Sequence, residues 1–315
     1  MTRTITGILL KIASTIAFTA MSSLVRVAGQ EVPVGQVVFC RAFFALIPLF
    51  LVLGLRGQMG EAVRLGSFTG HVKRGIIGAS GMCFGFIALT LLPLADAVTI
   101  GYAAPLMVVP LAVWILGEKV RVYRWTAVAV GFIGVVVILW PHLADAARPG
   151  GWDAQAAGAL AALGGAVCAA FATIQVRKLV STETTASIVF MFMALCSVVA
   201  LCTLPLGYVL PIGRWVIPNP TQMMILVVIG IFGGLGQMLL TESYKRADTS
   251  LIAPFEYFSM IWAVLIGYII FSDVPGPFVV VGGAIVVASG LMVIWREHIL
   301  GLERARARQA VTPQG

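Results

Sequence analysis

Residues 221–241, TQMMILVVIGIFGGLGQMLLT, run for 21 positions without an Asp, Glu, Lys or Arg. An α-helix rises about 1.5 Å per residue, so a stretch of this length covers about 30 Å, the thickness of a bilayer's hydrocarbon core. Outward from it, nine more stretches share its apolar character: 5–27, 34–55, 74–92, 96–116, 122–140, 156–176, 185–207, 249–271 and 277–295. Together they take up almost all of the 315 residues. The chain is 60% hydrophobic and 11% charged, with a mean hydropathy of +1.01. A soluble domain of this length has no interior large enough to hide that surface. The sequence predicts an all-α membrane protein with ten transmembrane helices. The first stretch is too long for the core of a cleaved signal peptide and lacks a small-residue cleavage site, so it is expected to be a permanent helix.

The net charge of +8 and pI of about 9.6 raise the question of nucleic acid, and the placement of the charges excludes it. With the N-terminus inside and ten spans, 16 of the 21 Lys and Arg residues fall in inside segments. Only Arg26, Arg148 and Arg214 fall outside, and Lys11 and Arg41 lie within spans. Retention of Lys and Arg in cytoplasmic loops explains this bias. It predicts an inner-membrane location with both termini cytoplasmic. The C-terminal run ERARARQA, within a basic tail at 296–315, is expected to lie against anionic lipid. The five cysteines all lie in spans, and their spacing matches no metal site.

The longest outside connection, 141–155, carries Pro141, Pro149, Gly150 and Gly151, which are loop residues, and divides the chain into five spans and five spans. Spans 3–4 and 8–9 overlay without gaps. Ile77, Gly78, Gly81, Ala95, Asp96 and Ile100 meet Ile229, Gly230, Gly233, Ala247, Asp248 and Ile252. An odd number of spans per half makes the second copy enter the membrane from the opposite side. Two inverted five-helix repeats, 5–140 and 156–295, are therefore expected, and such repeats recur in transporters. Glycines at helical spacing, such as Gly75, Gly78, Gly81 and Gly85, predict close helix packing.

Three segments carry a family resemblance. GYAAPLMVVPLAVWILGEKV at 101–120 is an apolar helix with an internal Pro-Leu pair that ends in Gly-Glu-Lys. VVFCRAFFALIPL at 37–49 holds Arg41, and GFIGVVVIL at 131–139 has a paired-glycine pattern. Together these resemble the EamA domain of the drug/metabolite transporter superfamily. The second half departs from the pattern, with no Arg in span 7 and SDVP at 272–275 in place of LGEK. The resemblance implies a ten-helix carrier with a central cavity. Its bacterial relatives include YddG-type aromatic amino acid exporters and S-adenosylmethionine uptake carriers. The implied activity is secondary transport of a small-molecule substrate, with export of amino acids favoured over metabolite uptake.

Few polar groups lie deep in the spans. Glu256, flanked by Pro254 and Tyr257, is the carboxylate placed furthest inside, where an ionisable group is costly and faces the bundle or a wet cavity. It can bind a substrate ammonium, take up a proton, or serve structure alone. Arg41 can hold a carboxylate or brace helices. Lys11 can do the same or snorkel to the surface. Tyr102, Phe86, Phe171, Tyr257 and Trp262 lie on helices that line a cavity by family analogy, although each fits plain packing as well. Gln175 and Thr173 offer hydrogen bonds to a substrate or to their own helix. Glu118 and Lys119, beside Arg121, form either a gate or a solvated cluster.

No cofactor or metal set is expected. The histidines, His71, His142 and His298, lie in loops or at a terminus with no acid at a recognised spacing, which disfavours a membrane enzyme. No nucleotide-binding loop and no channel-filter sequence is found.

Overall fold

The computed structural model describes residues 2–117, 120, 122–146, 153–179, 182–208, 213–246 and 253–311, and among these residues every regular element is helical. In chain order these are α1 (Thr2–Ala28), α2 (Val34–Phe44), α3 (Leu46–Leu55), α4 (Met59–Ala62), α5 (Phe68–Leu91), α6 (Leu94–Gly101) and α7 (Ala103–Leu116). α8 (Val122–Ala146) completes the first half, and α9 (Ala154–Leu179), α10 (Thr185–Leu201), α11 (Thr203–Leu206) and α12 (Pro220–Arg246) follow. A 3-10 turn at Ala253–Tyr257 then leads into α13 (Phe258–Phe271), and α14 (Pro277–Val311) ends the chain. Eight described stretches are long and apolar enough to cross a membrane, and two shorter apolar ones follow at Phe255–Phe271 and Pro277–Val293. The chain is an integral, multi-pass membrane protein.

Three of the expected spans are broken, and the breaks share a cause. Proline lacks an N–H, and its ring collides with the carbonyl four residues earlier. Pro48, Pro105 and Pro205 have Phe44, Gly101 and Leu201 at that position, and these residues end α2, α6 and α10. Helix starts follow capping chemistry. Ser67 accepts from the Gly70 N–H, and Thr184 accepts from the Ser187 N–H. Asn219 and Gln222 exchange side-chain and backbone bonds at the head of α12. The Ser67 cap starts α5 six residues before the expected 74, so Lys73 and Arg74 belong to the helix and not to the loop. The basic C-terminal segment continues α14 without a break to Val311.

Packing is pairwise. α1 lies along α12, α5 along α9 and α8 along α14, while α2 meets α10 and α6 meets α13. Glycines set the closest approaches. Gly236 and Gly233 of α12 face Phe18 and Met21 of α1, so the two helices run antiparallel. Gly81 and Gly165 bring α5 and α9 together, and Gly134 and Gly282 do the same for α8 and α14. In lipid, where apolar burial between helices gains little, close backbone contact of this kind holds the bundle. The main core joins Val25, Val38, Leu92, Ile100, Ile138 and Leu226.

Candidate functional site

The polar chemistry gathers where α1, the break between α6 and α7, and the start of α13 meet. Lys11 is 1% exposed, and its ammonium pairs with the Glu256 carboxylate. Glu256 sits in the 3-10 turn and its side chain is 45% exposed. One partner is sealed in the bundle while the other reaches open space. The turn gives Glu256 this position because Pro254, two residues earlier, is a poor member of an α-helix interior.

Tyr102 stands at the α6–α7 break that Pro105 creates. Its hydroxyl shares a hydrogen bond with Ser259 and lies 3.5 Å from the Glu256 carbonyl. Ser259 donates its one proton to that carbonyl at 2.7 Å, which leaves Tyr102 as the donor between the hydroxyls. The Tyr102 and Tyr257 rings meet edge to face, 5.2 Å apart. Tyr257 also lies across Gly290 of α14, where any Cβ would collide with its hydroxyl. Trp262 donates its indole N–H to Thr15 of α1 at 3.2 Å. Lys11, Tyr102, Glu256, Tyr257 and Trp262 thus form one cluster.

The other sequence candidates stand apart. Phe86 is a core residue of α5. Phe171 and Gln175 are half-buried on α9, and among the described residues no hydrogen bond or ring contact ties them to the cluster. Arg41 is buried on α2, with Nη1 3.2 Å from the Met193 sulfur. Thr173 donates to the Ala169 carbonyl of its own helix. Trp114 is 82% exposed on the outer surface of the bundle. Glu118, Lys119, Arg121 and Asp248 lie outside the described residues.

Sequence reasoning missed several groups. His71 and His142 are in helices, and each faces a carboxylate. His142 Nε2 is 3.3 Å from Asp96, and His71 Nε2 is 3.5 Å from Glu183. Burial works against ionisation of Glu183, but the N–H groups of Ser67 and Gly66, together with His71, outweigh it and hold the carboxyl below its ordinary range. At the far end of α1, Arg26 grips Asp273 and stacks over Phe271 at 4.3 Å. The helix connections that bring these partners together are not readable as spacing in the sequence.

A cavity of about 860 Å³ lies elsewhere, between α1, α3, α10 and α12. None of the nine candidate residues lines it. Its charged lining residues, Arg56, Glu61, Glu183, Glu242 and Arg246, all sit at helix ends or in connections. The charged and aromatic cluster is separate from this mostly apolar groove.

A model of the EamA-like transporter family matches residues 5–140 and again 156–295, and the chain belongs to that family. It is similar to the pseudopaline exporter of Pseudomonas aeruginosa, 26% identical over 90% of this chain and 94% of the relative. It is also similar to the S-adenosylmethionine uptake transporter of Rickettsia prowazekii, 29% identical over 83% of both chains. The riboflavin transporter of Vibrio cholerae is 26% identical over 90% of this chain and 91% of its own length. A solved crystal structure shares the fold, with a TM-score of 0.59 and 22% identity over 95% of this chain and 97% of that chain.

Proposed function

We propose that this protein is a secondary carrier of the bacterial inner membrane that exports small amino acids or amino-acid-like metabolites with apolar or aromatic side chains. The Lys11–Glu256 pair carries the reading. A zwitterion presents the same two charges in reverse, so its carboxylate takes the place of Glu256 at Lys11 and its ammonium takes the place of Lys11 at Glu256. Tyr102, Tyr257 and Trp262 surround that exchange with aromatic faces for the remainder of the substrate. The exposed carboxylate gives the ligand its point of entry. Since one charge pair replaces another, the desolvation cost of emptying the site stays low.

The mechanism we assign is alternating access between two inverted five-helix halves, 5–140 and 156–295, with ten spans and both termini cytoplasmic. The packing supports it. Exchanging the first five spans for the last five turns the α1–α12 pairing into the α5–α9 pairing, and it leaves α8–α14, α2–α10 and α6–α13 as they are. Gly78 and Gly230, matched in sequence, face Phe192 of α10 and Phe44 of α2, which are matching spans. The chains of α7 and α13 both end on a left-handed residue, Gly117 and Ser272, although LGEK and SDVP look unalike. Arg26–Asp273 then closes the outer end between spans 1 and 9.

A second reading, uptake of S-adenosylmethionine or a related metabolite, is favoured by the named function of the Rickettsia relative. Counterflow in proteoliposomes separates the two. Preloaded phenylalanine or leucine should drive entry of the labelled amino acid, and S-adenosylmethionine should not. Counterflow with S-adenosylmethionine alone selects the second reading. No counterflow with either overturns both. Reporter fusions at Gly151 and after Arg308 should read outside and inside respectively.

A further inference from the structure

Two more cations are shut inside the bundle, away from Lys11 and Glu256. Arg41 of α2 is 4% exposed. Arg74 of α5 lays its guanidinium 4.0 Å over the Phe192 ring of α10, next to Met193, the residue whose sulfur meets Arg41. The Nε atoms of both arginines are buried without a hydrogen-bond partner. Both arginines lie against α10, through Met193 and Phe192, about one helical turn from the Cys196 thiol. That thiol donates toward the Gly75 carbonyl at 3.8 Å, so it keeps its proton and offers no countercharge. Among the described residues, no carboxylate pairs with either arginine.

Each guanidinium has five N–H donors and a permanent charge. A thioether, a thiol and a ring face answer only a small part of this. Two charges in a low-dielectric interior are costly, and no carboxylate among the described residues repays that cost. We infer that Arg41 and Arg74 together hold a compact monovalent anion, a halide or a small carboxylate such as formate, between α2, α5 and α10. Gly75 and Gly78 of α5 press against Leu195 and Phe192, and a Cβ at Gly78 would strike both Phe192 and Arg74, so the packing is tight and favours a compact ligand. The site shares no helix with the Lys11–Glu256 cluster, and the inference does not depend on what that cluster carries.

The test uses the purified full chain in neutral detergent and sodium gluconate, at constant ionic strength. Radiolabelled chloride is titrated in and bound label is read by equilibrium dialysis, alongside the thermal unfolding midpoint. The expected result is saturable binding of one chloride per chain with a parallel rise in the midpoint. Formate should displace the label, and phosphatidylglycerol should not. Arg74→Met should reduce bound chloride by about tenfold or more, as should Arg41→Met. Absence of saturable chloride or formate binding to the native chain overturns the inference. So does unchanged occupancy in Arg74→Met. Displacement by phosphatidylglycerol also overturns it, because the ligand would then be a lipid headgroup. The dialysis on native protein decides the matter even where a variant does not fold.

Discussion

Lys11 and the Arg41–Arg74 pair are both buried cations, yet their surroundings differ in one respect that separates exchange from bracing. Lys11 is answered by Glu256 within the chain, and that carboxylate is 45% exposed. A ligand can reach one partner, insert its own charges and leave again. Arg41 and Arg74 meet a sulfur and a ring, with their Nε atoms closed off. Those partners, Met193 and Phe192, are themselves buried, so an anion held there has no exposed group to leave by. The reach of one partner to solvent, more than the depth of the cation, marks the exchanging site.

The sharpest way to break that contrast is to remove one charge from the exchanging pair. Glu256→Gln takes the Glu256 charge away from the buried Lys11, at a cost of about 3 kcal/mol, whereas Lys11→Met leaves a carboxylate that water still reaches. Glu256→Gln should therefore lower the unfolding midpoint more than Lys11→Met, and both should cut counterflow by about tenfold or more. The double variant should regain stability without regaining transport. Equal stability losses, or transport by the double variant, would show that the pair is structural, like the arginines.

Glycine substitutions give the next largest effect. At Gly230 a Cβ meets the base of Phe44 and the Cys40 carbonyl at 3.1 Å, neither of which can move cheaply. At Gly78 it meets the far ends of Phe192 and Arg74, which can. Gly230→Leu should destabilise by about 1–3 kcal/mol and abolish transport, with Gly78→Leu milder. The reverse order in thermal unfolding and counterflow would contradict the packing argument.

Glu183 gives a smaller effect, outside the membrane. Its folded carboxyl is held below the ordinary value of 4.5. A depressed carboxyl contributes stability that is fully present above that value and is lost as pH falls through the lower, folded one. Glu183→Gln should cost about 1–2 kcal/mol near neutral pH, and the gap to the native protein should close below pH 4.5, read from unfolding midpoints across pH. A gap that does not change with pH would place the stabilisation elsewhere. The smallest effect separates two tryptophans. Trp262→Phe removes the bond to Thr15 and should lower counterflow by about 2–10-fold. Trp114→Phe, on the outer surface, should leave it unchanged.

Much of this was legible from residue order. Apolar length gave the membrane class and the helices, whereas the capping at Ser67, Thr184 and Asn219 that sets their starts went unread. Glu256, Lys11, Tyr102, Tyr257 and Trp262 stood out because polar and aromatic groups are rare in such stretches. Arg74 was misplaced in a loop because its helix starts at a cap six residues earlier, and a run of basic residues reads as cytoplasmic. His71 and His142 were passed over because their acids, Glu183 and Asp96, come from distant connections.

By itself the sequence determined which segments become apolar helices, because the demand that backbone hydrogen bonds be satisfied in lipid is local to each segment. It also located the prolines; Pro48, Pro105 and Pro205 end their helices four residues upstream, while Pro110 and Pro141 are carried inside α7 and α8. Only the tertiary structure decided which charges meet. Lys11 and Glu256 are 245 residues apart in the chain, and their pairing depends on α1 lying against the 3-10 turn. That contact is set by glycine-mediated approach of helices distant in sequence, and no spacing within one helix encodes it. The same packing shut Arg41 and Arg74 against α10 with no paired carboxylate among the described residues.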